Sequence, residues 1–155
     1  MTGGGNWWDD VAVPALLRAA RTTYGSAIRA ALENAGCDDV PSNGAYVIGA
    51  IARSGAPLGR VIRELGVSKQ AAGQLVDTLV TRGYLDRSVD PEDRRRLTIS
   101  LTERGYAAAG EIRAAVERVD ADVLARVGPE YVAHTRATLA ALIDAGEDGG
   151  GPEAG

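Results

Sequence analysis

Residues 66–105 read GVSKQAAGQLVDTLVTRGYLDRSVDPEDRRRLTISLTERG. Gly66 marks a turn, and Ser68 is a residue type that caps helices by accepting from a backbone N–H two or three positions on. From Lys69 the apolar residues recur at helical spacing, with Ala71, Ala72, Leu75, Val76, Leu79 and Val80 on one face. The pattern stops at Arg82-Gly83, and the period then changes. Tyr84–Val89 and Leu97–Leu101 suit strands; Leu97, Ile99 and Leu101 alternate with Thr98 and Ser100. Asp90–Arg96 joins them as a hairpin loop with Pro91 at its turn, and it carries Arg94, Arg95 and Arg96 in a row. A helix should start again at Thr102-Glu103.

Working outward, the same punctuation organises the rest. A first helix is predicted over about residues 11–35, with Asp9 and Asp10 placed at its start, Pro14 in its first turn and Gly36 at its end. Its stripe is Leu16, Leu17, Ala20, Tyr24, Ala27, Ile28, Ala31 and Leu32. Ser42 can cap a second helix to about Arg53, with Tyr46, Val47, Ala50 and Ile51 inward and Ser54-Gly55 as its stop. Ala56–Leu58 reads as a short extended lead into a third helix, Gly59 to Leu65. After the hairpin a long helix reaches about Val127, with Ile112, Val116, Val119, Val123 and Val127 on one side. Gly128-Pro129 breaks it, and a last helix runs to about Ala145, with Val132, Thr135, Leu139 and Leu142 on one face. The fold class is therefore mainly α with a small β-hairpin.

Composition narrows the function. The 155 residues carry a net charge of −4, so the chain is not uniformly basic. Between Leu58 and Arg104, however, nine Lys or Arg stand against seven Asp or Glu, which leaves a mildly basic centre with acidic flanks. Lys69 is the only lysine. A single cysteine, Cys37, excludes an intramolecular disulfide and a cysteine zinc site, and fits a reducing compartment. No secretory signal and no 18-residue apolar run are visible, so a cytoplasmic location without membrane contact is expected. There is no Gly-rich phosphate loop, no His-paired nucleophile and no paired-carboxylate site. An enzyme, a cofactor and a bound metal are not expected. His134, the lone histidine, reads as a structural or solvated helix residue. Trp7 and Trp8 read as packing residues before the first helix.

The polar face of the helix after Ser68 consists of Lys69, Gln70, Gly73, Gln74, Asp77, Thr78 and Thr81. Gln can bond adenine edges bidentately, Lys can reach guanine or phosphate, and Thr can touch either. Gly73 lets the backbone approach closely. Such a face by itself is what most surface helices show. An arginine-tipped hairpin following it makes the difference, because narrow minor grooves concentrate negative potential and draw arginine in. Asp93, next to Arg94 and two before Arg95, can pre-order an arginine and so reduce the entropy lost on binding. Asp77 is the awkward residue on this face: it must accept from cytosine, orient a neighbour or sit away from phosphate.

With the Ser-started helix, the Leu-Val-x-x-Leu rhythm, Arg-Gly-Tyr-Leu entering the first strand, Asp-Pro-x-Asp-Arg-Arg at the loop and Leu-Thr-x-x-Gly after the second strand, the segment resembles the winged helix-turn-helix of the MarR family of bacterial transcriptional regulators. The element order extends the resemblance over nearly the whole ordered chain. It implies a homodimeric, sequence-specific regulator, a small-molecule-responsive repressor on a roughly palindromic double-stranded DNA operator. It divides the ordered chain into a helical dimerisation region 11–36 and 102–145 and a winged DNA-binding domain 42–101; the Gly-rich, polar composition of the ends adds a mobile segment 1–10 and a disordered tail 146–155. Ser68, Lys69, Gln70, Gln74 and Thr78 match the exposed recognition-helix positions, with Gly73 among them. Asp93 and Arg95 fall at the wing tip, Arg94 is their neighbour, and Arg87 at the wing base is a phosphate contact. The family often takes small aromatic effectors between the dimer helices and the winged domain, which points to Arg21, Tyr24 and Tyr46. Some relatives sense oxidants through a thiol near the start of the first helix; Cys37 lies after its end. The alternative reading is a winged-helix module that binds protein instead of DNA, which loss of the wing arginines would have favoured.

Overall fold

The computed structural model describes residues 5–54, 57–95 and 97–148. Arg96, Gly55, Ala56 and the outer parts of both expected tails lie outside the described residues. The elements run α1 (Val13–Asn34), α2 (Gly44–Ser54), α3 (Leu58–Leu65), α4 (Lys69–Thr81), β1 (Leu85–Val89), β2 (Leu97–Leu101), α5 (Glu103–Val127) and α6 (Pro129–Asp148). By compactness they form two units, Met1–Val116 and Glu117–Gly155.

The first unit holds the core. Val47, Ile48, Val61, Leu79, Tyr84 and Leu85 are fully buried, joined by Leu32, Cys37, Leu101, Ala108 and Ile112. Truncating one such aliphatic side chain to alanine typically costs about 2–5 kcal/mol. On α2 the buried stripe is Gly44, Val47, Ile48 and Ala50, with Ile51 half-buried. Tyr46 was expected inward but is exposed. At 100° per residue, Tyr46 lies far round the helix from the Gly44–Val47–Ile48 stripe. Ala71 of α4 is likewise exposed, whereas Ala72, Val76 and Leu79 are buried.

Two helix ends decide how the chain enters the core. After α4, the Gly83 N–H bonds the Val80 carbonyl (3.0 Å) and the Tyr84 N–H bonds the Leu79 carbonyl (2.9 Å), a Schellman motif. Gly83 takes φ 79°, a conformation side chains disfavour, and this turns Tyr84 back into the core. The end of α1 repeats the motif, with Cys37 N–H on the Leu32 carbonyl at 2.8 Å. Cys37 thus occupies the position that closes the cap with a buried apolar group, which accounts for its burial without any chemistry.

The start of α1 differs from expectation. It begins at Val13 after Ala12, without a side-chain cap. Asp9 instead closes its own turn, with Oδ2 accepting from the Asn6 N–H at 2.7 Å. α2 begins at Gly44 rather than directly after Ser42, and α6 continues past Ala145 to Asp148. β1 and β2 pair antiparallel, Leu85 opposite Leu101 and Val89 opposite Leu97. Only Leu85 of β1 is buried, so the hairpin leaves the core at its base.

The second unit consists of the end of α5 and α6. None of its described residues is buried. Val123, Leu124, Val127, Tyr131, Leu142 and Ile143 are all exposed, Ile143 by 64%. Among the described residues no helix is long and apolar enough to cross a membrane.

Candidate nucleic-acid interface

The polar face of α4 is built by its own cap and ladder. Ser68, with extended backbone (φ −62°, ψ 157°), accepts from the Ala71 N–H through Oγ at 3.2 Å and fixes the first turn. Lys69, Gln70, Gly73, Gln74, Asp77 and Thr81 are exposed, and Thr78 is half-buried. The Thr78 hydroxyl donates to the Gln74 carbonyl at 2.7 Å. Its proton is therefore committed to the helix, and what it offers outward is an acceptor and a methyl group. Gln70, Gln74, Asp77 and Thr81 follow one another at four-, three- and four-residue steps, so they line one edge of the helix.

Asp77 is not free. Its Oδ1 accepts from Nη2 of Arg87 on β1, an ion pair between two partly exposed side chains. Of the three fates the sequence allowed this acid, orienting a neighbour is the one the structure shows. The pair ties the helix to the base of the hairpin.

At the hairpin tip, Pro91 to Arg95 are exposed. Asp90 Oδ1 accepts from the Glu92 N–H (2.9 Å), and Asp93 Oδ1 accepts from the Arg95 N–H (3.0 Å). These are Asx-type turns, in which a carboxylate replaces a backbone acceptor. Asp93 was expected to order an arginine side chain. The contact it makes with Arg95 is through the main chain, so the pre-ordering acts on the loop that carries the arginines.

The comparison with known proteins follows this geometry closely. A family model described as MarR family matches residues 38–96, from the loop before α2 to the wing tip. Over that stretch the chain is similar to the MarR family. The HTH-type transcriptional regulator PetP of Rhodobacter capsulatus is 34% identical over 85 residues, 54% of this chain. The chain spans about half the length of that curated relative, 51%. Among solved structures, Staphylococcus aureus MepR in a DNA complex superposes with a TM-score of 0.70 at 16% identity, covering 88% of this chain and 99% of that one. The MarR family protein Rv2887 of Mycobacterium tuberculosis, in complex with salicylic acid, has a TM-score of 0.59 at 26% identity, covering 86% and 98%.

A cluster that the sequence did not reveal holds these elements together. Asp39, in the loop before α2, accepts from the Tyr84 hydroxyl and from Arg104 Nη2 (3.0 Å) through its carboxylate. Its backbone carbonyl accepts from Arg82 Nη1, and Arg104 Nη1 donates to the Arg82 carbonyl. The Arg104 guanidinium lies 4.3 Å from the Tyr84 ring centroid, a cation–π contact. Thr102 donates its hydroxyl to the Gly83 carbonyl and accepts from the Gly105 N–H (3.0 Å), capping α5. The end of α4, the start of β1 and the start of α5 thus share one polar clamp.

The Tyr84 hydroxyl bond holds the Asp39 carboxyl below its ordinary range; burial opposes it, and the Arg104 charge adds a smaller lowering. Burial, then the Asp39 bond, pushes the Tyr84 hydroxyl up, so it stays a donor. A carboxylate whose folded value is lowered contributes stability that is complete above its unfolded value and is lost as pH falls through the folded one. Asp39→Asn should therefore lower the melting temperature near neutral pH and narrow the gap to the unsubstituted chain below about pH 4. Parallel melting curves that keep a constant gap across the acid range would contradict this role.

Of the effector candidates, Arg21 is exposed and Tyr24 half-buried on α1. Tyr46 turns its hydroxyl to Glu64 Oε2 of α3 (3.0 Å), and Glu64 Oε1 also takes Arg60 Nε at 3.0 Å. Burial first, then this carboxylate, raises the Tyr46 hydroxyl above its ordinary value. Tyr46 joins α2 to α3 through this bond.

Proposed function

We propose that this chain is a homodimeric, sequence-specific DNA-binding transcriptional regulator, a repressor of its operator that acts in the cytoplasm. The observation that carries the reading is the exposed polar edge of α4 standing beside a hairpin tipped with exposed Arg94 and Arg95 and tied to it through Asp77 and Arg87. Ser68, Lys69, Gln70, Gly73, Gln74 and Thr78 face the major groove of one half-site. Arg94 and Arg95, on a loop shaped by Asp93, enter the neighbouring minor groove, and Arg87 meets a phosphate. The match of residues 38–96 to the MarR family model and the likeness to the regulator PetP support DNA as the partner over a protein-binding wing.

A second copy of the chain covers the apolar residues of the second unit. A helix such as α6, which exposes Tyr131, Leu142 and Ile143 and buries none of its described residues, needs another surface. Residues 11–36 and 102–145 make that dimerisation region, and 42–101 the DNA-binding domain. A two-fold dimer reads a roughly palindromic site. Control comes from a small aromatic acid with differential affinity for the DNA-competent and incompetent states, taken by Arg21, Tyr24 and Tyr46. The salicylic acid complex of Rv2887 supports that effector class.

The test is selection of duplexes from a random pool by the purified chain, followed by sequencing. A symmetric consensus is expected. Gln74→Ala should alter the preference at one position of each half-site while weakening random-sequence binding little. A uniform loss over all sequences would remove Gln74 from base reading, and a pool without any consensus would remove the regulator reading.

A further inference from the structure

A groove lined with phosphates favours cations, yet the edge of α4 that carries Gln70 and Gln74 also carries Asp77, and its acceptor holds Arg87 of β1. Arg87 stands opposite Ile99 in the hairpin, on the exposed stretch of β1 beyond Leu85. It is therefore fixed at both ends, by the strand and by the helix. A guanidinium has five donors in a rigid fork. The one bond to Asp77 leaves other donors of the fork within reach of solvent, because the Arg87 side chain is 42% exposed.

The carboxylate does two things to this arginine. It selects one rotamer of a long side chain that otherwise samples many. It also offsets the charge, which weakens the guanidinium's pull on any phosphate brought near it in the wrong register. In the right register a phosphate meets the outward edge of a fork already in place. We propose that Asp77 is a specificity-determining positioning residue that acts through Arg87: it gives up nonspecific grip in return for discrimination between DNA registers. The inference rests on the DNA-binding reading above.

The test uses the full chain and its Asp77→Asn, Arg87→Ala and double variants. Each is titrated across a salt series against a random-sequence duplex and against a duplex selected by the unsubstituted chain. Asparagine keeps the shape and an acceptor oxygen, so the fold is retained; equal melting temperatures check this. Asp77→Asn should bind the random duplex several-fold tighter. Its log-affinity against log-salt slope should be steeper by about 0.9 for each half of the complex, one more phosphate neutralised per wing. The selected-to-random affinity ratio should fall. In the Arg87→Ala background the same change should move the slope and the ratio little, and Asp77→Glu should restore both towards the starting values. An equal effect with and without Arg87 would mean plain repulsion of phosphate and overturn the proposal. So would an Asp77→Asn slope equal to that of the unsubstituted chain. If the unsubstituted chain binds neither duplex, it is the DNA-binding reading itself that fails.

Discussion

Gly105→Ala is expected to destabilise the chain by roughly 3 kcal/mol, at the upper end of what overpacking costs. A Cβ at this position would stand 2.1 Å from the Tyr84 carbonyl oxygen and 3.1 Å from Leu101 Cδ2. The nearer atom is backbone, and it is engaged: the Tyr84 carbonyl accepts from the Thr102 N–H at 3.1 Å. No rotamer change relieves the clash. Either α5 moves off the hairpin base or the Thr102 bond breaks, and the clamp of Asp39, Tyr84 and Arg104 opens with it. Alanine returns about 1 kcal/mol of helix propensity, which only partly offsets the loss. The melting temperature should drop by about 10 °C for a chain of this size. Gly110→Ala supplies the control, since that glycine is on the same helix with nothing within 4 Å of an added Cβ. It should be neutral or slightly stabilising. Equal melting temperatures for the two variants would contradict the packing account.

Arg95→Ala should weaken binding to the selected duplex by about tenfold per wing, hence roughly a hundredfold for a complex with two wings. The side chain is exposed, and its backbone N–H, not its guanidinium, is what Asp93 holds. The melting temperature should therefore stay within about 1–2 °C of the unsubstituted chain. Separating the two readouts matters, because a loss of affinity with a loss of stability would say nothing about the groove. An unchanged affinity at fixed salt, with the fold intact, would take the wing tip out of the interface.

What the sequence made legible is what local chemistry decides. Ser68 caps α4 because a hydroxyl at that position meets a free N–H within the same turn, and Gly83 ends it because the following turn needs a positive φ. The hairpin followed from the alternation of Ile99 and Leu101 with Thr98 and Ser100, and its acidic residues closed turns within two positions of themselves. Where the reading went astray, the competing signal was nearly as strong. Tyr46 looked like core because it is aromatic, but the helix phase set by Gly44, Val47 and Ile48 puts it outside, where its hydroxyl finds Glu64. Asp9 looked like a cap for α1, but it closes the turn that precedes the helix.

The clamp was out of reach for a different reason. Tyr84 and Arg104 meet Asp39 from 45 and 65 residues away, and nothing local marks an aspartate as an acceptor for two distant donors. Leu-Thr-x-x-Gly was readable as a family signature. Its physical cause, a threonine cap and a glycine pressed against the Tyr84 carbonyl, needed coordinates. The Asp77–Arg87 pair lies between these cases: ten residues apart, it crosses from helix to strand, so helical spacing could not pair them.

On the proposed reading, α4 and the wing form one DNA-reading surface, and the dimer presents it twice. The most direct measurement is a footprint of the chain on its selected duplex, with the mass of the same complex determined in solution. Two chains per duplex are expected, with two protected major-groove stretches centred about one helical turn, 10–10.5 bp, or a multiple of it apart, each flanked by minor-groove protection that Arg95→Ala removes. One chain per duplex, or protection spread evenly along the DNA, would contradict the account.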